Sequence, residues 1–153
     1  MRLDYQAVLP SGAQALVAVE KVVAASSLEP KLLELVKLRA SQINGCAFCV
    51  DMHTKDARAI GEEEQRLHLV AVWREAPGFS EGERAALDWT EAITLLPSRG
   101  APDDIYAELT RVFAPEEVVA LTLAIAMINT WNRLSVGFAR PAGDYVSPRQ
   151  PGP

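Results

Sequence analysis

The sequence predicts an all-α protein with a single helical domain, and three observations lead to this prediction. Apolar residues recur at helical spacing along most of the chain. No segment shows the sustained alternation of β-branched and aromatic residues that is typical of a strand. The chain has 153 residues, 49% of them hydrophobic and 23% charged, which is the composition of an ordinary globular domain with a core of its own.

Proline, glycine and capping residues mark where the predicted helices begin and end. We expect about seven helices, over residues 14–25, 30–43, 47–60, 62–75, 80–97, 103–113 and 115–136. The first follows the turn-forming residues 10–12, and the second has Pro30 in its first turn and is interrupted by Asn44-Gly45. The third ends at Gly61, because glycine is favoured just past the end of a helix.

The later helices have equally clear start signals. A Pro-Gly pair closes the fourth helix, and Ser80 with Glu83 forms a capping-box pattern at the start of the fifth. Asp103 is placed to cap the sixth helix. The seventh begins at Pro115, with two glutamates in its first turn, where the helix dipole favours negative charge.

The C-terminal residues differ in composition from the rest of the chain. Residues 140–153 contain four prolines and two glycines, so we expect an extended or disordered tail there. The predicted helical domain therefore spans residues 1–139.

Charge and hydropathy exclude several classes of function. The net charge of −5 and the scattered basic residues argue against nucleic-acid binding, which needs clustered Lys and Arg. Residues 1–10 lack the apolar region of a secretory signal. The longest apolar stretch, residues 118–128, is far shorter than the ~20 residues of a membrane span. We therefore expect a cytoplasmic protein with no membrane partner, in a compartment where disulfides are more often catalytic than structural.

The two cysteines of the chain stand three residues apart, and a histidine follows one turn later. Cys46, Cys49 and His53 have the spacing i, i+3, i+7, which places them on one face of a helix. Two thiols at this spacing can form a disulfide, and the start of a helix favours the thiolate form of a cysteine. An imidazole one turn away can take up and return a proton. This pattern predicts a redox-active thiol pair.

Other interpretations of the motif compete with this one. Buried cysteines can be simple packing residues. A zinc site could use Cys46, Cys49 and His53, with Glu34 or His68 as the fourth ligand, although no second CxxC is present. Attachment of c-type haem needs a histidine directly after the second cysteine, and Val50 stands there instead.

Spacing alone gives a different picture of the remaining polar residues. Glu34 lies outside the apolar arc of its helix, which favours a solvated acid. Arg39 lies near the edge of that arc and is expected to form a buried or interface ion pair. His68 is interpreted as a packing residue. The other polar and aromatic residues that we assign to packing are Trp73, Trp89, Asn129, Trp131, Asn132 and Arg133.

The segment from Glu34 to His53 closely resembles the alkylhydroperoxidase D core of the carboxymuconolactone decarboxylase family. The family pattern is a glutamate, then eleven residues, then CxxCxxxH, and the chain meets it without a gap. Residues 84–91 and 129–133 also resemble stretches that are typical of this group. The resemblance covers most of the chain apart from the tail.

The resemblance implies a peroxiredoxin-type antioxidant oxidoreductase, a thiol peroxidase that reduces organic or hydrogen peroxides without flavin, haem or metal. By position, Cys49 would be the peroxidatic thiol and Cys46 the resolving thiol, while Glu34 and His53 would relay protons. This reverses the interpretation of Glu34 from spacing. The resemblance also implies an all-α subunit that forms a homo-oligomer, a trimer or a hexamer, and an external dithiol reductant, which in the family can be a lipoylated protein.

One position departs from the family pattern. Characterised alkylhydroperoxidases have a histidine just before the second cysteine, whereas this chain has Phe48. An apolar ring there removes a hydrogen-bond donor and is expected to raise the pKa of a neighbouring thiol. The alternative function is therefore a redox sensor or disulfide-exchange module with little peroxidase activity. Lactone decarboxylation is the weaker reading, because the decarboxylase branch of the family generally lacks the CxxC motif.

Overall fold

The computed structural model describes residues 1–149, and these residues form nine α-helices without any strand. The helices are α1 (Tyr5–Val8), α2 (Pro10–Ala24), α3 (Pro30–Ile43), α4 (Ala47–Ala59), α5 (Glu64–Leu69), α6 (Glu81–Thr94), α7 (Leu96–Arg99), α8 (Asp103–Val112) and α9 (Pro115–Gly137). A short 3-10 turn at Val70–Val72 follows α5. The predicted all-α fold is confirmed, and each of the seven predicted helices has a counterpart. The two additional helices, α1 and α7, are single turns of four residues.

The largest difference from the predicted bounds lies in the fourth helix, which was expected over residues 62–75. The regular helix α5 is only six residues long. The chain can leave the helix early because Arg84 of α6 donates hydrogen bonds to the carbonyls of Trp73, Arg74, Ala76 and Phe79. A tertiary contact thus satisfies backbone acceptors that a longer helix would have paired internally.

Helix α3 lies at the centre of the fold and packs against α4, α6 and α9. Leu33 and Val36 belong to an apolar cluster with residues of α6 and α9, whereas Leu35 and Leu38 belong to a second cluster with residues of α4, α5 and α6. Because apolar neighbours cover α3 on more than one side, a position outside its main apolar arc is not thereby exposed to solvent.

The packing predictions for polar and aromatic residues are confirmed at several positions and wrong at two. The packing interpretation is confirmed for Trp73 and Trp89, which are buried. Asn129 and Asn132 are also buried, and they pair with polar groups of α3 and α6. The packing interpretation of His68 is wrong: its side chain is exposed and faces Glu64 one turn earlier on the surface of α5. It is also wrong for Arg133, which is exposed and donates hydrogen bonds to Asn129 of its own helix.

The prediction that Arg39 forms an ion pair is confirmed. Buried Glu91 accepts hydrogen bonds from the Arg39 Nε atom and the Trp73 Nε1 atom, at 2.8 Å and 2.9 Å. Its second oxygen faces Arg74 and Arg99. Burial by itself raises the pKa of Glu91. The hydrogen bonds from Arg74, Trp73 and Arg39 outweigh burial, so the net pKa of this carboxyl lies below its ordinary value.

We expect Glu91→Ala to lower the free energy of unfolding by about 3 kcal/mol, because it leaves the buried Trp73 donor and the Arg39 guanidinium without an acceptor. Urea unfolding followed by circular dichroism measures this change. The control is Glu108→Ala, which removes an exposed pair with Arg111 and should change stability by less than about 0.5 kcal/mol. Equal effects of the two substitutions would contradict a stabilising role of the Glu91 cluster.

The described part of the C-terminal tail, residues 140–149, has no regular secondary structure and lies against α3 and α4. The remaining tail residues, 150–153, lie outside the described residues. Among residues 1–149, no helix combines the length and the apolar content that crossing a membrane requires.

Candidate active site

The two cysteines are joined by a disulfide at the start of α4. Gly45, with a φ of 65°, turns the chain from α3 into α4, and a residue with a side chain would be strained in this backbone conformation. The Asn44 side chain fixes the same turn by donating hydrogen bonds to Asn129 and Asn132 of α9. The chain thereby places Cys46 at the N-cap position of α4.

The disulfide lies in an apolar and nearly inaccessible environment. Each cysteine is only 1% exposed, and the surrounding cluster includes Ala40, Phe48 and Ile128. The Sγ atom of Cys46 accepts a hydrogen bond from the backbone N–H of Cys49 at 3.3 Å. A free N–H group at a helix start stabilises negative charge, so reduction of the disulfide would leave one sulfur beside a stabilising donor.

A buried carboxylate–imidazole pair lies beside the cysteine motif. The Nδ1 atom of His53 is 2.8 Å from the Oε2 atom of Glu34, and the two side chains are 5% and 3% exposed as residues. An ionised carboxylate only accepts hydrogen bonds, so the Nδ1 atom carries the proton. The Nε2 atom of His53 is buried and has no hydrogen-bond partner among the described residues. In the neutral imidazole this atom is a free base.

Glu34 is held in its ionised form by several groups. Its second oxygen, Oε1, lies 3.2 Å from the guanidinium of Arg149 in the tail. Burial by itself raises the pKa of Glu34. The hydrogen bond from His53, together with the charges of Lys37 and Arg149, outweighs burial, so the net pKa of this carboxyl lies below its ordinary value. The interpretation of Glu34 as a solvated acid, which spacing alone favoured, is therefore wrong.

A second carboxylate, Asp56, lies one turn after His53 on α4. The hydroxyl of Tyr145 contacts both of its oxygens, at 2.9 Å and 3.0 Å. Burial and this hydrogen bond raise the pKa of Tyr145 to about 12, so the phenol stays protonated and donates to Asp56 at neutral pH. The ring of Tyr145 also meets the ring of Phe48 edge-on, with the centroids 6.3 Å apart.

Glu34, His53 and Asp56 each offer one atom that could bind a metal ion, and these atoms lie within 4.8 Å of one another. Arg149 and Tyr145 contact the two carboxylates and compete with a cation for their oxygens. The zinc site that the sequence left open does not form in this state, because the cysteine sulfurs are bonded to each other.

The structure therefore brings the four predicted site residues together as two pairs, one of thiols and one of a carboxylate and an imidazole. Three further residues contact this site and were not predicted from the sequence: Asp56, Tyr145 and Arg149. Asp56 could have been found, because it follows His53 by three residues on the same helix face. Tyr145 and Arg149 lie in a segment without periodicity, and no local signal points to them.

The fold and the motif together define a class: an all-α protein in which a buried CxxC disulfide stands at the start of a helix. Sequence comparison identifies the family. The chain belongs to the carboxymuconolactone decarboxylase family, whose sequence profile matches residues 10–92. The resemblance to its alkylhydroperoxidase D-like members is confirmed.

Two relatives match nearly the whole chain. The uncharacterised protein YdfG of Bacillus subtilis (strain 168) is 43% identical over 141 residues, which cover 92% of this chain and 96% of YdfG. A crystal structure from Agrobacterium tumefaciens has a TM-score of 0.90 and 47% sequence identity, and covers 94% of this chain and 99% of its own. That protein is of unknown function, with a suggested role in antioxidant defence as an AhpD protein.

A more distant structure shares the fold alone. The debrominase Bmp8 has a TM-score of 0.82 at 19% sequence identity, and the match covers 91% of this chain and 75% of Bmp8. At this level of identity the shared helices do not carry a reaction from one protein to the other. The function of this chain is therefore inferred from its own site residues.

Proposed function

We propose that this protein is a thiol-dependent peroxidase of the alkyl hydroperoxide reductase type, with the Cys46–Cys49 pair as its redox centre. The observation that supports the proposal most directly is the buried pair of Glu34 and His53, one turn after a CxxC disulfide. A packing cysteine needs no base beside it, whereas a thiol that attacks an oxidant needs a group that removes its proton and returns it.

In the proposed reaction the reduced protein consumes one peroxide and forms one disulfide. The thiolate of Cys49 attacks one peroxide oxygen, the O–O bond breaks, and the leaving alkoxide takes up a proton and departs as an alcohol. Cys49 is then a sulfenic acid. The thiolate of Cys46 attacks its sulfur, the S–O bond breaks, and water leaves after protonation, which produces the disulfide seen here.

Glu34 and His53 are proposed to move the protons of this cycle. Glu34 accepts from the Nδ1 atom and thereby leaves Nε2 as the basic nitrogen of the neutral ring. This nitrogen would take the proton of the Cys49 thiol and later deliver it to the alkoxide. The arrangement follows the logic of a nucleophile, a base and a carboxylate that orients the base.

The cycle closes through an external dithiol, which reduces the disulfide by thiol–disulfide exchange. By family resemblance this reductant can be a lipoylated protein, and the same resemblance suggests a homo-oligomer, a trimer or a hexamer. We propose this reductant and this oligomeric state for the chain. We also propose a cytoplasmic location and the reduction of peroxide without a bound cofactor.

A second candidate is a redox sensor or disulfide-exchange module, and Phe48 is the observation that favours it. Phe48 stands between the two cysteines in the sequence, and its ring is buried in the same apolar cluster. It offers no hydrogen bond to a thiolate or a peroxide. An apolar neighbour raises the pKa of a thiol and slows its attack at neutral pH. This candidate predicts a reversible disulfide with slow peroxide consumption.

Stopped-flow oxidation of the reduced protein by hydrogen peroxide and by organic hydroperoxides separates the two candidates. Intrinsic fluorescence follows disulfide formation, and free thiols are counted at the end. A peroxidase oxidises at least about 100-fold faster than free cysteine under the same conditions, since positioned acid–base groups contribute factors of this size. Rates equal to those of free cysteine for every peroxide would overturn the proposed function and favour the sensor.

A further inference from the structure

Residues 140–149 cross the candidate active site and contact several of its residues. The Arg140 guanidinium lies 3.8 Å from the centre of the Phe48 ring. Tyr145 contacts Asp56 through its hydroxyl and packs against the apolar cluster that contains both cysteines. Arg149 contacts Glu34 across 115 residues of sequence. Residues 140–149 thus contact both the apolar cluster around the cysteines and the Glu34–His53 pair.

Lysine and aspartate side chains of α4 hold the backbone of this segment in place. The Nζ atom of Lys55 donates to the carbonyls of Gly143 and Tyr145, at 2.9 Å and 2.8 Å. The backbone N–H of Gly143 donates to Asp51 at 3.1 Å. These bonds replace those of a helix or strand, which the segment lacks.

The attachment consists mainly of separate polar contacts, and Tyr145 is the one residue of the segment that packs on the apolar cluster around the cysteines. Most residues of the segment are exposed or half-buried, and Ser147 is the buried one among residues 140–149. Arg149 itself is nearly half exposed in its side chain. A segment with few buried apolar contacts opens at lower free energy than the packed helices, while the rest of the fold stays intact.

Thiol–disulfide exchange imposes a geometric demand that the closed arrangement does not meet. The attacking group must reach a sulfur of the disulfide, but Cys46 and Cys49 are each 1% exposed. Tyr145 packs on the apolar cluster that contains them, and Arg140 lies over the ring of Phe48 in the same cluster. Any reductant that regenerates the thiols therefore needs part of this cover to move.

We propose that residues 140–149 form a gate over the disulfide, closed by the contacts of Tyr145 with Asp56 and of Arg149 with Glu34, and that this gate opens to admit a reductant. The proposal rests on the proposed function only in taking the disulfide as the group that must be reduced. The gate is a property of access, so it can be measured without peroxide.

The test compares how fast tris(2-carboxyethyl)phosphine reduces the disulfide in the full-length wild-type protein and in Tyr145→Phe/Arg149→Ala. The double variant loses both closing contacts, so we expect its disulfide to be reduced about tenfold faster, the factor that corresponds to 1.4 kcal/mol of easier opening. The control, Tyr106→Phe/Arg58→Ala, changes the same residue types on exposed surfaces and should match the wild type.

Conservative single variants and a second measurement keep the test decisive. Arg149→Lys retains the positive charge, so its disulfide should be reduced at a rate close to that of the wild type. The disulfide of Arg149→Ala should be reduced faster than both. Hydrogen exchange of the Gly143 amide, which donates to Asp51 in the closed arrangement, should be faster than that of the α4 amides, because the gate opens without unfolding the helix. A reduction rate that is the same in the wild type and the double variant, or a Gly143 amide as protected as those of α4, would overturn the proposal.

Failure of the gate and failure of the proposed function give different results. A protein that oxidises no faster than free cysteine, but whose double variant is reduced tenfold faster, retains the gate and loses the peroxidase. A protein with rapid peroxide oxidation and an unchanged reduction rate in the double variant retains the peroxidase and loses the gate.

Discussion

Replacing Cys49 with serine is expected to abolish rapid oxidation by peroxide, whereas replacing Cys46 with serine is expected to leave a single rapid oxidation intact. Serine lacks the thiolate that attacks the O–O bond, so the Cys49→Ser protein has no nucleophile beside His53. The Cys46→Ser protein still forms a sulfenic acid on Cys49, but it cannot condense this acid to a disulfide. Its turnover stops after one equivalent of peroxide.

Stopped-flow oxidation and mass spectrometry measure this difference. In the Cys46→Ser protein, a reagent specific for sulfenic acids should label residue 49 at a rate close to that of wild-type oxidation. In the Cys49→Ser protein, the reagent should label residue 46 only at the rate at which a free thiol is oxidised. Both variants lack the disulfide, so each is the matched control of the other for any effect of its loss on the fold.

The structure offers a reason for the opposite order, and the paired variants decide between the two. Cys46 caps α4, and its sulfur accepts the N–H of Cys49, a contact that stabilises a thiolate at the first cysteine. Cys49 instead precedes His53 by one helical turn, next to the base that the buried Glu34 orients. We assign the attack to Cys49 because the proton must move as the O–O bond breaks. Rapid trapping at residue 46 in Cys49→Ser would reverse this assignment.

The sequence predicted the helices well because their start and stop signals are local. Pro30, Ser80 and Pro115 stand at or just before the starts of α3, α6 and α9, as their local chemistry requires. The fourth helix was predicted too long because its end depends on Arg84, a residue of the next helix. A tertiary hydrogen bond of this kind leaves no trace in the segment that it terminates.

The same distinction explains the candidate site. The spacing of Cys46, Cys49 and His53 on one helix was sufficient to pair them. Glu34 lies on another helix, and the periodicity of α3 could not show that His53 of α4 lies against it. Only the family pattern assigned Glu34 to the site. Arg149 contacts Glu34 from a segment that has neither helical period nor motif, so neither spacing nor resemblance could reveal it.

Replacing Glu34 with glutamine is expected to slow the oxidation of Cys49 by about 100-fold, a loss typical of impaired proton transfer. Glutamine keeps the volume of the side chain but loses the charge, and its amide can donate to Nδ1 and so place the proton of His53 on Nε2. The unprotonated nitrogen would then be Nδ1, which faces residue 34, and Nε2 could not accept the proton of the Cys49 thiol. Stopped-flow oxidation measures the rate. Glu20→Gln is the control, because it removes a carboxylate that pairs with Lys37 but does not contact His53. Equal rates in Glu34→Gln and the wild type would exclude Glu34 from the relay.

Glu34→Gln should also change how stability depends on pH, and the sign follows from the lowered pKa of Glu34. A carboxyl whose pKa is lower in the folded than in the unfolded protein stabilises the fold above its unfolded pKa and loses that contribution as pH falls through its folded pKa. The wild type should therefore be more stable than the variant at neutral pH, and the difference should shrink below about pH 4.5, the ordinary glutamate value. Urea unfolding at a series of pH values measures it. A difference that grew on acidification would mean that the folded protein holds Glu34 protonated, and a protonated Glu34 could not fix the tautomer of His53.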